Sequence, residues 1–200
     1  MKAKISACVV AIVMLMAFTT VSMADQVQFR SGGYVGGYLG VFDTAEPANY
    51  LFDTFCLEVH EILYPWSAYS YTIDTYAYGG GGGAVDNKDD LDPMTAYLYT
   101  HFRRGDLAGF TLADTNALQY AIRYIEQEVV APAAGSKADD FYQLALASGW
   151  TDIGDVRVLN PYNAAGEWRQ SVLTLVPEPM TLLLLGVGLL GLGITRKLKK

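Results

Sequence analysis

The 200-residue chain carries 14 Lys and Arg against 21 Asp and Glu, a formal net charge of −7 at pH 7. Six of the basic residues lie near the two ends, so residues 25–178 hold eight basic and all 21 acidic residues, a net charge of −13. Because phosphate binding needs a basic surface, this composition excludes a nucleic-acid partner. An acidic surface of this kind favours solubility outside the cell.

The first 24 residues have the pattern of a signal peptide. Lys2 and Lys4 form a positive start, an apolar run follows over residues 7–18, and small residues precede a cleavage point after Ala24. We expect signal peptidase to cut there and the body to be exported. An uncleaved membrane anchor is the alternative, and it is disfavoured because the apolar run is short for a membrane span.

Export leaves a single cysteine in the mature chain. Cys8 lies in the signal peptide, so Cys56 has no partner for an intramolecular disulfide. A lone thiol is unusual in an oxidising compartment. Three roles stay open for Cys56: an inert buried residue, a disulfide with another chain, or chemical engagement of a different kind.

The exported body, residues 25–175, is predicted to have an α+β fold. Residues 27–78 are rich in strand-forming residues, and YSYTIDTYAY alternates with period two, as a half-buried strand does. The glycine run at 79–83 predicts a loop. Strands return in DVRVLN and EWRQSVLTLV. We therefore expect a sandwich-like β-rich core that is interrupted by a helical insertion.

This insertion, about residues 92–149, is predicted to hold three helices. Each helix follows a polar residue that can accept hydrogen bonds from its first N–H groups, and glycines end the first and third. The predicted caps and stops are Asp92, Gly105, Asp114 or Thr115, Ser136 and Gly149. The second helix is expected over ADTNALQYAIRYIEQEVV, with an apolar face at helical spacing.

Two short motifs indicate a chemical role for Cys56. FCLE (55–58) lies on a predicted strand, and LQYAI (118–122) lies early in the second predicted helix. This pair resembles the motifs of bacterial surface thioester domains, in which an aromatic-Cys strand faces a hydrophobic-Gln-x-Ala-Ile helix. The resemblance implies that the Cys56 sulfur and the Gln119 carboxamide condense with loss of ammonia, and that the thioester then reacts with amines on a target surface. Arg123 departs from the family pattern, in which an aromatic residue commonly follows Ala-Ile.

A buried thioester needs a shell that excludes water, and we expect aromatic side chains to provide it. The expected shell residues are Phe52, Phe55, Tyr97, Tyr120 and Tyr124. Without a thioester, Cys56 is a small buried residue and Gln119 an ordinary helix residue.

Two other kinds of site have less support. A thiol hydrolase would use His60 with Glu61, or His101, beside Cys56, but residues four apart on a strand are separated by about 13 Å. The acidic loop after the glycine run lacks the glycine and glutamate of an EF-hand, which favours solvated loop acids and a helix cap over calcium ligands. The calcium candidates are Asp86, Asp89, Asp90 and Asp92.

The last 25 residues combine Pro177-Glu178-Pro179, an apolar run and a basic tip. The apolar run predicts a single transmembrane helix over about residues 179–196, with the tip on the cytoplasmic side. The tip consists of Arg196, Lys197, Lys199 and Lys200. This order resembles the PEP-CTERM sorting signal of exported Gram-negative proteins. The resemblance implies processing of residues 176–200 by an exosortase-type membrane protease, release or attachment at the cell envelope, and a link with exopolysaccharide.

Together these features predict an exported, non-enzymatic envelope or extracellular-matrix protein with a structural or adhesive role. A covalent adhesin with a thioester between Cys56 and Gln119 is the first alternative, and a secreted hydrolase is the second. The expected partners are signal peptidase, an exosortase-type protease, the membrane through the C-terminal helix, and exopolysaccharide or surface amines. No cofactor is expected.

Overall fold

The computed structural model describes residues 26–31, 38–44, 49–79 and 82–176. The strands are β1 (Val27–Ser31), β2 (Tyr38–Asp43), β3 (Tyr50–Phe55), β4 (Ala68–Asp74), β5 (Tyr76–Tyr78), β6 (Lys88–Asp90), β7 (Val156–Tyr162) and β8 (Val172–Leu175). The helices are α1 (Pro93–Arg104), α2 (Thr115–Ile125) and α3 (Lys137–Ser148), and a 3₁₀ turn covers Leu112–Asp114.

Both predicted processing segments lie outside the described residues. These are the signal peptide with its cleavage point at Ala24, and the C-terminal segment with its transmembrane helix at about 179–196. Among the residues that are described, no helix has the length and apolar character needed to cross a membrane.

Six strands form one antiparallel sheet in the order β3-β2-β1-β4-β7-β8, while β5 and β6 pair separately. The chain just after β3 meets β8: Leu57 N–H donates to the Ser171 carbonyl at 3.0 Å, and Cys56 forms an antiparallel bridge with Val172. The sheet is therefore nearly closed, which covers strand edges that would otherwise be exposed. The α+β class is confirmed, but the sandwich is wrong, because one sheet curls until its outer strands meet.

The helical insertion is confirmed, and the predicted caps of α1 and α3 act as expected, whereas Asp114 forms no side-chain capping bond at the start of α2. The Asp92 carboxylate accepts a hydrogen bond from Met94 N–H at 2.7 Å at the start of α1. The Ser136 hydroxyl accepts one from Asp139 N–H at 3.2 Å at the start of α3. Because these bonds satisfy N–H groups that have no partner within the helix, local sequence is enough to place both starts. Left-handed glycines end the two helices, Gly105 with φ 74° and Gly149 with φ 63°.

Helix α2 is shorter than the sequence pattern indicates. It starts at Thr115, after a turn in which the Asp114 carboxylate accepts from Thr111 N–H at 2.8 Å. It ends at Ile125, and Gln127 adopts a positive φ of 63°, which turns the chain out of the helix. The buried side of α2 includes Gln119, which therefore faces the protein interior.

The sheet has apolar residues on both faces. Neighbouring residues on β7 alternate between them, with Val158 in the cluster that packs against the helices and Leu159 in a second cluster on the opposite face. We call this second group the inner cluster. Its residues come from β1, β2, β4, β7 and β8 and, in the case of Cys56, from the position that follows β3. The inner cluster consists of Val27, Phe29, Val41, Cys56, Tyr69, Leu159 and Val172.

Candidate functional site

The structure brings Cys56 and Gln119 into direct contact. β3 ends at Phe55, which lies opposite Tyr38 of β2, so Cys56 lies one residue beyond the paired part of the ladder. Its N–H donates to Gln119 Oε1 at 2.9 Å, and its carbonyl accepts from Gln119 Nε2 at 2.6 Å. The side-chain amide of Gln119 thus pairs with the Cys56 backbone as a neighbouring strand residue would.

This contact is closed to solvent. Cys56 is 2% exposed and Gln119 is 1% exposed. The two hydrogen bonds give partners to the Gln119 side-chain amide and to the N–H and carbonyl of Cys56. These buried polar groups therefore avoid the free-energy cost of being without a partner.

The shell around this contact differs in part from the predicted aromatic one. Phe55 is fully buried and Phe52 packs against the inner cluster, as expected. The Tyr120 hydroxyl, by contrast, donates to the Val130 carbonyl at 3.1 Å in an exposed bond. Tyr97 instead packs against Trp150, and Tyr124 packs against Tyr142, both among the helices. Water is kept from Cys56 mainly by the inner cluster, whose members come from distant strands. Sequence reasoning missed this shell because strand order across the sheet decides which residues surround Cys56.

Two ionisable side chains, Arg123 and Glu58, act on the Cys56 thiol. Burial raises the thiol pKa to about 12, and the positive charge of Arg123 acts in the opposite direction. Glu58 is 1% exposed, and burial, reinforced by Glu61, holds the pKa of its carboxyl well above the usual range. At neutral pH both the thiol and the Glu58 carboxyl are therefore protonated, and Arg123 is the charged group beside the sulfur.

Sequence reasoning did not assign a role to either flanking residue. Arg123 follows Gln119 by one helical turn, and this spacing puts both side chains on one face of α2. That spacing was visible in the sequence. The position of Glu58 was not, because it depends on how the chain continues after β3.

A buried carboxyl in α2's C-terminal turn makes stability depend on pH. Burial raises the pKa of Glu126 from 4.5 to about 8. Because the folded state binds this proton more tightly than the unfolded chain, the free energy of unfolding falls as pH rises from about 4.5 to about 8 and then levels off. Burial also raises the pKa values of Glu58 and Asp89, so both residues likewise lower the free energy of unfolding as pH rises.

We therefore expect thermal unfolding at a higher temperature at pH 5 than at pH 9, with Glu126→Gln reducing the difference. Glutamine keeps the oxygen that accepts from Asp92 N–H at 3.3 Å and carries no charge to bury. Melting curves of both proteins at the two pH values measure the effect. An equal pH dependence in the wild type and the variant would contradict the assignment.

The calcium candidates do not converge on one point. Asp92 caps α1, Asp90 lies on β6 opposite Tyr76, and Asp86 lies in a turn with φ 53°. Within the described ranges, no group of three or more His, Cys, Asp and Glu residues is placed to hold a metal ion.

The two histidines lie apart from the thiol chemistry. His60 is exposed, and His101 Nδ1 pairs with Asp106 Oδ1 at 2.8 Å. The Gln119 amide bonds the Cys56 backbone, and Arg123 and Glu58 act electrostatically on the thiol.

No curated protein and no solved structure matches the chain. Residues 175–197 match the family model of the PEP-CTERM protein-sorting motif. The match covers Pro177, Glu178, Pro179, the apolar run, and the basic tip as far as Arg196 and Lys197. It confirms the predicted sorting segment, and it implies an exported protein that an exosortase-type membrane protease processes. The chain therefore carries a PEP-CTERM protein-sorting motif at residues 175–197.

Proposed function

We propose that residues 25–175 form a non-enzymatic covalent adhesin, which attaches to amines through a thioester between Cys56 and Gln119. The observation that carries this proposal is the paired contact of the Gln119 carboxamide with both backbone polar atoms of Cys56, at 2.9 and 2.6 Å in a buried site. The sorting segment would present this domain at the envelope or in the extracellular matrix.

The proposed chemistry has two steps. In the first, the Cys56 sulfur attacks the side-chain carbonyl carbon of Gln119, a C–S bond forms, and the amide nitrogen leaves as ammonia with the thiol proton. In the second, a target amine attacks the same carbon, a C–N bond forms, and the C–S bond breaks. The sulfur recovers a proton from the amine. The product is an amide bond between Gln119 and the target, with Cys56 again a thiol.

The surroundings of the contact support the first step. The two hydrogen bonds hold the carboxamide against the residue whose thiol attacks it, and such positioning replaces a slow encounter between separate molecules. The inner cluster and the burial of Gln119 protect the bond from hydrolysis.

The same surroundings favour a protein that attaches covalently once over an enzyme that hydrolyses substrate repeatedly. A hydrolytic cysteine needs a thiolate at neutral pH, which depends on a lowered pKa. The pKa of the Cys56 thiol is instead raised to about 12 by burial. A thioester that forms once during folding and opens once on a target does not need a permanently ionised thiol.

The acidic body fits a basic target. Residues 25–178 carry a net charge of −13, which attracts protonated amines and the basic surfaces that carry them. We propose that the target is an amine-bearing surface protein or matrix polymer, including exopolysaccharide with amino sugars.

A labelled primary amine tests the proposal. Exported full-length protein is incubated with a biotin-linked amine, and peptides are analysed for label. We expect label on Gln119 in the wild type and none in Cys56→Ala or Gln119→Glu, since glutamate has no ammonia to lose. Gln143→Glu is the matched control, because Gln143 is exposed on α3, and it should label like the wild type.

The absence of label in the wild type, together with a Cys56 thiol that alkylates after unfolding, would contradict the proposal. The paired contact would then be a structural bond at the end of β3, and the sorted protein would act without covalent attachment.

A further inference from the structure

Arg123 is a positive charge beside the Cys56 thiol without an ion-pair partner in the described part of the chain. It follows Gln119 by one turn on α2, and its charge acts on the thiol. Its Nε is buried and has no hydrogen-bond partner among the described residues. Arg123 belongs to neither of the ion pairs His101–Asp106 and Arg169–Glu167.

The acid that flanks the same thiol does not neutralise this charge. Glu58 is 1% exposed, and its Oε1 has no hydrogen-bond partner in the described ranges. Glu61 raises the pKa of Glu58 further beyond the effect of burial, which keeps Glu58 protonated at neutral pH. The half-buried guanidinium of Arg123 therefore lies beside a thiol and a carboxyl that are both neutral at neutral pH.

We propose that Arg123 is a catalytic residue whose guanidinium stabilises the Cys56 thiolate that leaves when an amine opens the thioester. This inference rests on the proposed function. As the C–N bond to Gln119 forms and the C–S bond breaks, the electron pair stays on sulfur, and a nearby fixed positive charge lowers the barrier most at that moment. The same charge stabilises the sulfur as it attacks Gln119 during thioester formation.

The test compares four exported full-length proteins: the wild type, Arg123→Met, Arg123→Lys and Arg104→Met. Methionine has a similar length without charge, lysine keeps the charge but not the planar donor group, and Arg104 is an exposed arginine on α1 that serves as control. Methylamine is the probe. The rate of opening is followed by the mass of the protein and by the appearance of a free thiol after denaturation, across pH, and thermal melting reports folding.

We expect Arg123→Met to open at least about tenfold more slowly than the wild type at an unchanged melting temperature. Arg123→Lys should be intermediate, and Arg104→Met should match the wild type. A folded Arg123→Met protein that fails to form the thioester, when Arg104→Met forms it, also supports the proposal. If Arg123→Met does not fold, the slowed opening of folded Arg123→Lys carries the test.

Opening at the wild-type rate in Arg123→Met, or in Arg123→Lys where only that variant folds, would overturn the role of Arg123 and leave the proposed function intact. A wild-type protein with no mass deficit of one ammonia would overturn the proposed function, and the role of Arg123 with it.

Discussion

Replacing Asn160 with leucine is expected to lower the free energy of unfolding by about 3–5 kcal/mol, enough to unfold much of the protein. Asn160 is fully buried on β7. Its Nδ2 donates to Asp74 Oδ2 at 3.1 Å and to the Tyr76 carbonyl at 3.0 Å. Its Oδ1 accepts from Tyr78 N–H at 3.2 Å and from the Ser171 hydroxyl at 2.6 Å.

These four bonds join three parts of the sheet. They hold the β5 segment and the residue before β8 against β7, so leucine would remove one hydrogen-bond partner from each of four polar groups, of which Asp74 Oδ2 keeps the Thr72 hydroxyl. Urea unfolding of the variant measures the effect, with Asn116→Leu on the exposed side of α2 as control. The control should lie within about 0.5 kcal/mol of the wild type. Equal midpoints for both variants would show that Asn160 does not hold these segments together.

Replacing Gln119 with leucine in a Cys56→Ala background is expected to cost about 2–5 kcal/mol. The Cys56→Ala substitution prevents thioester formation, so the experiment isolates the two hydrogen bonds between the Gln119 amide and the backbone of residue 56. Both bonds are buried, and leucine leaves the N–H and the carbonyl without a partner.

Urea unfolding of the single and double variants gives this cost directly. Gln143→Leu in the same background is the control, because Gln143 is exposed and its side chain bonds only within α3 to Asp139 at 3.2 Å. A loss no greater than that of the control would contradict the placement of Gln119 at the end of β3.

The helical insertion could be predicted because its limits are set by local chemistry. Asp92 and Ser136 each accept a hydrogen bond from an N–H two or three residues later, and these bonds need no partner from elsewhere in the chain. The end of α2 was misplaced for a related reason. The apolar spacing continues past Ile125, but the positive φ of Gln127 stops the helix.

The closure of the sheet could not be predicted, because it depends on contacts between distant residues. Leu57 bonds to Ser171 across more than one hundred residues of sequence, and alternating polarity on each strand is the same in a sandwich and in a curled sheet. The prediction of the aromatic shell was wrong for Tyr97 for the same reason, since its position beside Trp150 follows from helix packing, whereas Phe52 does pack against the inner cluster.

The candidate site was predictable in its residues but not in its geometry. The motifs around Cys56 and Gln119 selected the two residues that the structure pairs. They did not indicate that the pairing uses the Cys56 backbone, nor that Arg123 and Glu58 flank the thiol. Those features depend on how α2 lies against the end of β3.

The most direct test of the thioester is the mass of the exported protein before and after methylamine. We expect a mass lower than that of the sequence by one ammonia, a cross-linked peptide pair that contains Cys56 and Gln119, and a gain of one methylamine on treatment. Cys56→Ala should show none of these. A wild-type mass equal to that of the sequence, unchanged by methylamine and with Cys56 free or in a disulfide, would contradict the account.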